Sequence, residues 1–233
     1  MRLAIHQPNF FPWIGLFHKI ASVDRFMFFD HVQASQGKSW LSRNRILIDG
    51  EARWLTIPIK RNSGQRISDV AINYSGNFER KHLGTLRQAY GKSPHFEEVV
   101  AFLEALYARK FDRLSEFNEE FIRSVCSRTG IATSFCRSSE LVETFPEILD
   151  QAGNELVLNL SVKAAASEYL SGAGCADFIQ PESFSDRGIA FAFQQFDHPS
   201  YRQGKGDAPF VSHLSSLDAL FNVGFSGLAE WWT

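Results

Sequence analysis

The first loop of this chain concentrates side chains that can do acid–base chemistry. The segment HQPNFFPWIGLFHK, from His6 to Lys19, joins a short apolar run to residues with helical apolar spacing. An imidazole can accept a proton near neutral pH, and the loop before a helix exposes backbone N–H groups that suit anions. The segment lacks the glycines of a dinucleotide-binding loop or a P-loop, so it supports neither of those sites. His6 is a candidate catalytic base, with a hydrogen-bonded histidine at a strand end as the alternative.

The same loop supplies candidate substrate-binding residues, and several of them also have a structural explanation. They are Gln7, Pro8, Trp13, Gly15, His18 and Lys19. A hydrogen-bonded structural histidine is the alternative for His18, and a core anchor is the alternative for Trp13. The loop as a whole is nevertheless the first candidate site.

A second polar stretch, DHVQASQGKSWLSRNR, runs from Asp30 to Arg45. Asp30 could act as a general base or hold a cation, and arginine can bind phosphate with two parallel hydrogen bonds. Solvated side chains are the alternative for each basic residue taken alone. The candidate substrate-binding residues of this stretch are Gln33, Lys38, Trp40, Arg43, Asn44 and Arg45.

Late in the chain, the segments DHPSYRQ (Asp197 to Gln203) and HLSSLDALFNVG (His213 to Gly224) are the third concentration of polar groups. Asp218 is a further candidate catalytic residue, and Tyr201, Gln203 and His213 are candidates for substrate binding. Asp218 and His213 are five residues apart and do not share a helix face closely, so we expect no metal site there. Burial of Asp218 against a loop is the alternative.

The cysteines predict neither a disulfide framework nor a structural zinc site. Cys126, Cys136 and Cys175 are an odd number without metal-ligand spacing, and core thiols explain them. The chain has no H-E-x-x-H or G-x-S-x-G motif and no cysteine in a motif with histidine. If the reaction is acyl or group transfer, direct attack by an activated acceptor is therefore favoured over a covalent nucleophile.

Charge is distributed unevenly along the chain, although the formal net charge is only -2. From Lys38 to Arg66 seven basic residues, Arg61 among them, stand against two acidic ones, whereas from Glu140 to Asp197 ten acidic residues stand against two basic ones. The basic stretch fits either a phosphate-bearing ligand or a segregated solvated surface. A pI near 6.4 and the lack of a binding signature argue against nucleic acid.

The length of the chain fits one α/β domain, or one domain with a small helical insertion, and its composition is that of a globular protein. The 233 residues contain 44% hydrophobic and 21% charged residues, and no apolar run of about 18 residues predicts a membrane span. The first residues resemble a strand rather than a secretion signal, so we expect a cytoplasmic protein.

Hydrophobic periodicity predicts a mainly parallel, Rossmann-like sheet flanked by helices, within one domain over residues 1–233. The predicted strands are Arg2–Ile5, Arg25–Asp30, Ile131–Ser138, Ala176–Pro181 and Ile189–Phe196, with a hairpin formed by Arg45–Gly50 and Arg53–Ile59. The predicted helices are Trp13–Ala21, Ser161–Leu170 and His213–Gly224, with a three-helix insertion at about 77–130 (Phe78–Tyr90, Pro94–Phe111 and Arg113–Arg128). Such sheets bind ligands at the carboxyl ends of their strands, where we expect the three polar stretches to converge.

Three motifs resemble the WbqC-like family and together span nearly the whole chain. They are Q-P-x-x-x-P-x-x-G (Gln7, Pro8, Pro12, Gly15), R-N-R-I (Arg43 to Ile46) and L-S-x-x-D-x-L-F-N-x-G (Leu214 to Gly224). The resemblance implies a transferase of bacterial surface-polysaccharide (O-antigen) or secondary-metabolite biosynthesis, which places an acyl or aminoacyl group on an amino sugar or related amine. The site residues it implies are Gln7, Pro8, Gly15, Asp24, Asp30, Arg43, Asn44, Tyr201, Gln203 and Asp218.

Three functional hypotheses follow. The first is a transferase that needs no further cofactor and binds a phosphate-bearing donor (coenzyme A, carrier-protein pantetheine or nucleotide sugar) through Lys38, Arg43 and Arg45, with Asp30 or His6 as base. Its partners would be a small-molecule substrate and a carrier protein, without nucleic acid or membrane. The second is nucleotidyl or adenylate transfer from ATP, with His6, His18 and Lys19 at the triphosphate. The third is a non-catalytic ligand-binding or scaffold protein.

Overall fold

A computed structural model describes residues 1–35, 37–60, 62–204 and 209–232. Arg61 of the basic stretch lies outside these residues. The chain divides into two compact units, each assembled from three segments. Unit 1 comprises Met1–Pro8, His18–Val32 and Ile131–Asp197, and unit 2 comprises Asn9–Phe17, Gln33–Gly130 and His198–Thr233. Whether the chain acts as one domain stays a prediction.

The described residues form nine strands and eight α-helices. In chain order they are β1 (Arg2–His6), α1 (Ile14–Ala21), β2 (Arg25–Phe28), β3 (Arg43–Ile48), β4 (Glu51–Thr56), β5 (Ile59–Lys60), β6 (Ala71–Ile72), α2 (Phe78–Tyr90), α3 (Phe96–Ala108), α4 (Leu114–Arg128), β7 (Ser134–Arg137), α5 (Ser138–Thr144), α6 (Gly153–Lys163), β8 (Glu168–Ser171), α7 (Pro181–Ser185), β9 (Ala190–Phe193) and α8 (Ser216–Ala229). Among these helices none is both long and apolar enough to cross a membrane.

Unit 1 is built on a five-stranded parallel sheet with the order β7-β2-β1-β8-β9. The central strand β1 pairs with β2 from Leu3 opposite Arg25 and with β8 from Arg2 opposite Glu168. Leu3, Ala4 and Ile5 are buried, as expected for a strand covered on both faces. The predicted parallel α/β fold is confirmed.

Unit 2 contains the predicted hairpin and the predicted helical block. Strands β3 and β4 pair antiparallel from Arg43 opposite Thr56 to Ile48 opposite Glu51. Asp49 and Gly50 connect them with φ of 50° and 80°, the left-handed conformation that a two-residue type I′ turn requires. Helix α2 has the predicted bounds, and α3 and α4 lie within the predicted segments.

Two predictions of local structure in unit 1 were wrong. Residues 161–170 were expected to be helical, but α6 ends at Lys163, Ala165 turns the chain with φ of 56°, and β8 follows. Left-handed helix ends are usually marked by glycine, and alanine gives no such signal. Residues 176–181 were expected to form a strand, but Pro181 instead occupies the first turn of α7, a position that suits its fixed φ.

The last helix of unit 2 begins at a capped residue and is broken by a glycine. The Ser215 hydroxyl accepts a hydrogen bond from Leu217 N at 3.2 Å, as an N-cap residue does. Gly224 has φ of 73° and ψ of −179°, a conformation essentially restricted to glycine. A Cβ atom at this position would lie 2.5 Å from Nδ1 of His95, so the missing side chain also permits close packing.

We predict that Gly224→Ala lowers the free energy of unfolding by about 2 kcal/mol or more, because it adds both backbone strain and overlap with His95. Gly84→Ala is the matched control, since Gly84 lies in α2 and a Cβ there meets no atom within 4 Å. It should raise stability by roughly 0.5–1 kcal/mol. Urea titration of both variants measures this, and equal stabilities would contradict the interpretation of Gly224.

Candidate functional site

The strand order places a candidate ligand site at the carboxyl ends of β1 and β8. The chain builds β1, β2 and β7 outward on one side of the sheet and then adds β8 and β9 on the other. In open α/β sheets, ligands bind where the order reverses in this way. His6 ends β1, and Gly172 and Cys175 follow β8. These three residues and Lys19 are called the switch-point cluster below.

His6 carries an uncharged imidazole with a defined tautomer. Its Nδ1 lies 2.8 Å from the carbonyl oxygen of Gln7, and because that oxygen can only accept, Nδ1 carries the hydrogen. The Nε2 lone pair is therefore the acceptor. Burial and then the positive charge of Lys19 lower the pKa of His6 to about 4, while the Gln7 hydrogen bond opposes that change. The ring is therefore uncharged at neutral pH, with Nε2 as a hydrogen-bond acceptor.

Lys19 extends from α1 into the interior of unit 1 and is only 2% exposed. Side chains on a helix tilt toward its N-terminus, and the Lys19 ammonium reaches a point 3.6 Å from where a Cβ atom of Gly172 would lie. Burial lowers the pKa of Lys19 to about 8, and Cys175 partly opposes that effect. No hydrogen bond or ion pair joins the ammonium to any described residue.

Cys175 is the member of this cluster that the sequence did not indicate as a site residue. It was interpreted as a core thiol, and the structure packs it, half-buried, against the core of unit 1 in a short turn after β8. Cys175 lies far from β1 along the sequence, so the sequence did not show that the two are neighbours. A prediction of β8 as a strand beside β1 would have placed Cys175 near His6.

His18 contacts a second feature of unit 1, a cavity of about 210 Å³ bounded by Arg2, Leu170, Phe193 and Gln194. Gln194 Nε2 donates to His18 Nδ1 at 3.1 Å. Burial lowers the pKa of His18. The predicted role of His18 in substrate binding stays a prediction.

The two aspartates predicted in unit 1 hold local structure. Asp30 is buried, and its carboxylate accepts hydrogen bonds from Ser138 Oγ, Ser139 N and Ser139 Oγ at 3.1, 2.9 and 2.7 Å, which fix the start of α5. Asp24 precedes β2 and accepts a hydrogen bond from Arg2 N at 2.7 Å. Asp24 therefore lies at the amino ends of the strands, whereas His6 lies at their carboxyl ends.

In unit 2, the three polar stretches meet around the loop that precedes α1. The buried Asn44 donates from Nδ2 to the Phe11 carbonyl at 2.8 Å, and Ser215 Oγ donates to the same oxygen at 2.8 Å. Ser215 N also donates to the Arg45 carbonyl at 2.8 Å. Residues from all three predicted stretches are thus brought together within this unit, whereas their convergence at the carboxyl ends of the strands of unit 1 stays a prediction.

Trp13, at the end of that loop, and Gly15, in the first turn of α1, form one packing arrangement. A Cβ atom on Gly15 would lie 2.3 Å from the Trp13 ring, so the glycine makes room for the indole. The exposed His213 ring stacks on Trp13 with centroids 4.9 Å apart, and its carbonyl accepts a hydrogen bond from Arg45 at 3.5 Å. The Trp13 contact explains by packing why residue 15 is a glycine. Ligand binding by Trp13, Gly15, Arg45 and His213 stays a prediction.

The remaining basic and aromatic candidates lie on or beside the hairpin of unit 2. The Arg43 guanidinium lies 3.8 Å from the ring centroid of Trp54, and Trp40 lies 5.2 Å from the same ring. Both tryptophans are nearly half exposed. Lys38 and Gln33 are exposed, and the backbone of Gln33 pairs with that of Arg66 in an isolated antiparallel β-bridge. The predicted phosphate-binding role of Lys38, Arg43 and Arg45 stays a prediction.

Asp218 is fully buried in unit 2 and organises three side chains. Tyr90 donates to Oδ1 at 2.9 Å, while Tyr201 and Gln203 each donate to Oδ2 at 2.8 Å. Burial raises the pKa of Asp218, and these hydrogen bonds oppose the rise. Gln203 also binds both backbone groups of Val211, so the network holds this loop against α8. Catalysis by Asp218 stays a prediction.

The described residues contain no group of three or more His, Cys, Asp or Glu side chains arranged to hold a metal ion. The functional groups of the switch-point cluster are the His6 imidazole, the buried Lys19 amine and the Cys175 thiol.

A family model, that of the WbqC-like protein family, matches residues 7–230 of this chain. The chain belongs to the WbqC-like protein family. The uncharacterized protein Rv1507c of Mycobacterium tuberculosis is 32% identical to this WbqC-like protein over 227 residues, which cover 96% of this chain and 94% of the relative. No solved structure matches the chain. The resemblance inferred from the three motifs is thus confirmed.

We predict that Lys19→Met makes the WbqC-like protein more stable at pH 7 by roughly 1–3 kcal/mol, since it removes a buried charge. In the wild type the folded state loses this proton near pH 8, whereas the unfolded state keeps it up to its ordinary pKa of 10.5. The unfolded state binds more protons in that interval, so wild-type stability should rise with pH there.

Urea titrations from pH 7 to 10.5 measure this effect, and the variant should lack the rise. Lys92→Met is the matched control, because Lys92 is exposed and should change neither stability nor slope. A destabilised Lys19→Met variant would contradict the assignment of an uncompensated buried charge.

Proposed function

We propose that this protein transfers an acyl or aminoacyl group to an amine, with the switch-point cluster as its reaction site. The observation that carries this proposal is the uncharged His6 imidazole beside the buried Lys19 ammonium, where a Rossmann-like sheet binds ligands. Burial and neighbouring charges commonly perturb pKa values in this way at functional sites.

His6 is the base in this proposal. Its Nδ1 is committed to the Gln7 carbonyl, which leaves Nε2 to accept a proton. Asp30 was the other candidate base, but Ser138 and Ser139 occupy its carboxylate oxygens. His6 therefore fits the role better.

The transfer step follows from that assignment. The acceptor amine attacks the carbonyl carbon of the donor and gives a proton to His6 Nε2 as the C–N bond forms. The bond from the carbonyl carbon to the leaving sulfur or oxygen then breaks, and the leaving group takes the electron pair and the proton from His6. A positioned base contributes roughly 10²–10⁴-fold in rate.

We propose a phosphate-bearing donor (coenzyme A, carrier-protein pantetheine or a nucleotide-linked group) and an amino sugar or related amine as acceptor. Family membership supports this choice through the resemblance described above. Biosynthesis of a bacterial surface polysaccharide or of a secondary metabolite is the corresponding process.

Mass spectrometry of reaction mixtures tests the proposal. Acyl-coenzyme A and aminoacyl donors are incubated with a panel of amino sugars, and we expect an amide product whose rate falls roughly 10²–10⁴-fold in His6→Ala. His95→Gln is the matched control, because His95 lies in unit 2, outside the switch-point cluster.

Full turnover in His6→Ala would contradict the proposal. Magnesium-dependent ATP binding without amide formation would favour nucleotidyl transfer instead, and donor binding without any product would favour a scaffold protein.

A further inference from the structure

The Lys19 ammonium is a buried cation to which unit 1 supplies no counter-charge. Lysine is almost never this deeply buried unless it is paired, because transfer of a charge from water to the interior is costly. Its environment offers the His6 imidazole and the Cys175 thiol, while no carboxylate forms an ion pair with it within the described part of the chain. The folded state thus keeps a buried charge, unpaired among the described residues, that lowers its stability.

We propose that the Lys19 ammonium binds an oxyanion of the substrate, a carboxylate or phosphoryl group, at the carboxyl ends of β1 and β8. The inference rests on the proposed function in one respect, in that it assigns this anion to the donor or acceptor of the transfer reaction.

The position of the ammonium supports a ligand rather than a packing role. It lies beside Gly172, directly after β8, at the end of the sheet where parallel strands present ligand sites. A Cβ atom at Gly172 would lie 3.6 Å from the ammonium, an ordinary contact distance, so residue 172 places no side-chain atom on this side of the amine. An oxyanion there would gain a charge-assisted hydrogen bond in a medium of low dielectric constant, where such bonds are strongest.

Binding of the anion would also activate the base. The positive charge of Lys19 is one of the two causes that lower the pKa of His6. A bound oxyanion offsets that charge, so the pKa of His6 rises toward its ordinary value and Nε2 becomes a stronger proton acceptor. The base would thus become effective when the substrate arrives.

The pH dependence of binding follows from the groups around the amine. Among the described residues, His6 on β1 and Cys175 after β8 are the titratable groups that interact electrostatically with Lys19. Only the protonated amine attracts an anion, so affinity should fall as pH rises through about 8.

Histidine NMR and calorimetry with inorganic phosphate and with acetate test the inference without any transfer assay. In the wild type, we expect saturable binding of at least one anion and an increase in the pKa of His6 on binding. Phosphate alone would identify a phosphoryl group, and acetate alone a carboxylate. In Lys19→Met, the pKa of His6 should be raised without ligand, and affinity should fall roughly tenfold or more.

Lys92→Met is the matched control and should bind as the wild type does. Lys19→Arg keeps the charge and should retain binding, which separates loss of charge from loss of fold. Binding of both anions unchanged in Lys19→Met, or a His6 pKa that no anion moves in the wild type, would overturn the inference.

These outcomes are distinct from those of the transfer assay. Anion binding at Lys19 without amide formation would refute the proposed reaction and retain the subsite. Amide formation at the wild-type rate in Lys19→Met would retain the reaction and refute the subsite.

Discussion

The central position of β1 in the parallel sheet is the constraint on which the arrangement of unit 1 depends. Both faces of this strand are covered, so consecutive residues must be apolar, as Leu3, Ala4 and Ile5 are, and its polar chemistry is confined to its ends. His6 lies at the carboxyl end, and the reversal of strand order brings the end of β8 beside it. Lys19 reaches the same place from α1, so residues far apart in sequence form one cluster.

The cluster that we propose as the reaction site carries a stability cost. A buried amine destabilises the folded state, and residues of this kind are typical of functional sites, where activity and stability oppose each other. Asp218 in unit 2 is different, because Tyr90, Tyr201 and Gln203 satisfy its carboxylate. Its network holds a loop to a helix.

The sequence predicted those parts of the fold where local signals and packing agree. Two β-prone runs on either side of a turn with Gly50 predicted the hairpin, although Glu51 and Ala52, expected between the strands, lie in β4. Amphipathic spacing predicted the bounds of α2. Prediction failed where a local signal was missing or misleading: Ala165 ends a helix without glycine, so β8 was placed inside a predicted helix. Because β8 was not predicted, the proximity of Cys175 to the end of β1 was not predicted either. His6 and Lys19 could be named from their loop, but the burial of the amine is a tertiary property that no sequence pattern shows.

The most direct test of the account is the pKa of the Lys19 amine itself. NMR of protein labelled with ¹³C at lysine Cε follows that resonance, assigned by comparison with Lys19→Met, as pH is raised. A midpoint near 8, clearly separated from those of exposed lysines, is the predicted result. A midpoint near 10.5, the ordinary value, would show that the amine is solvated or paired and would contradict the account.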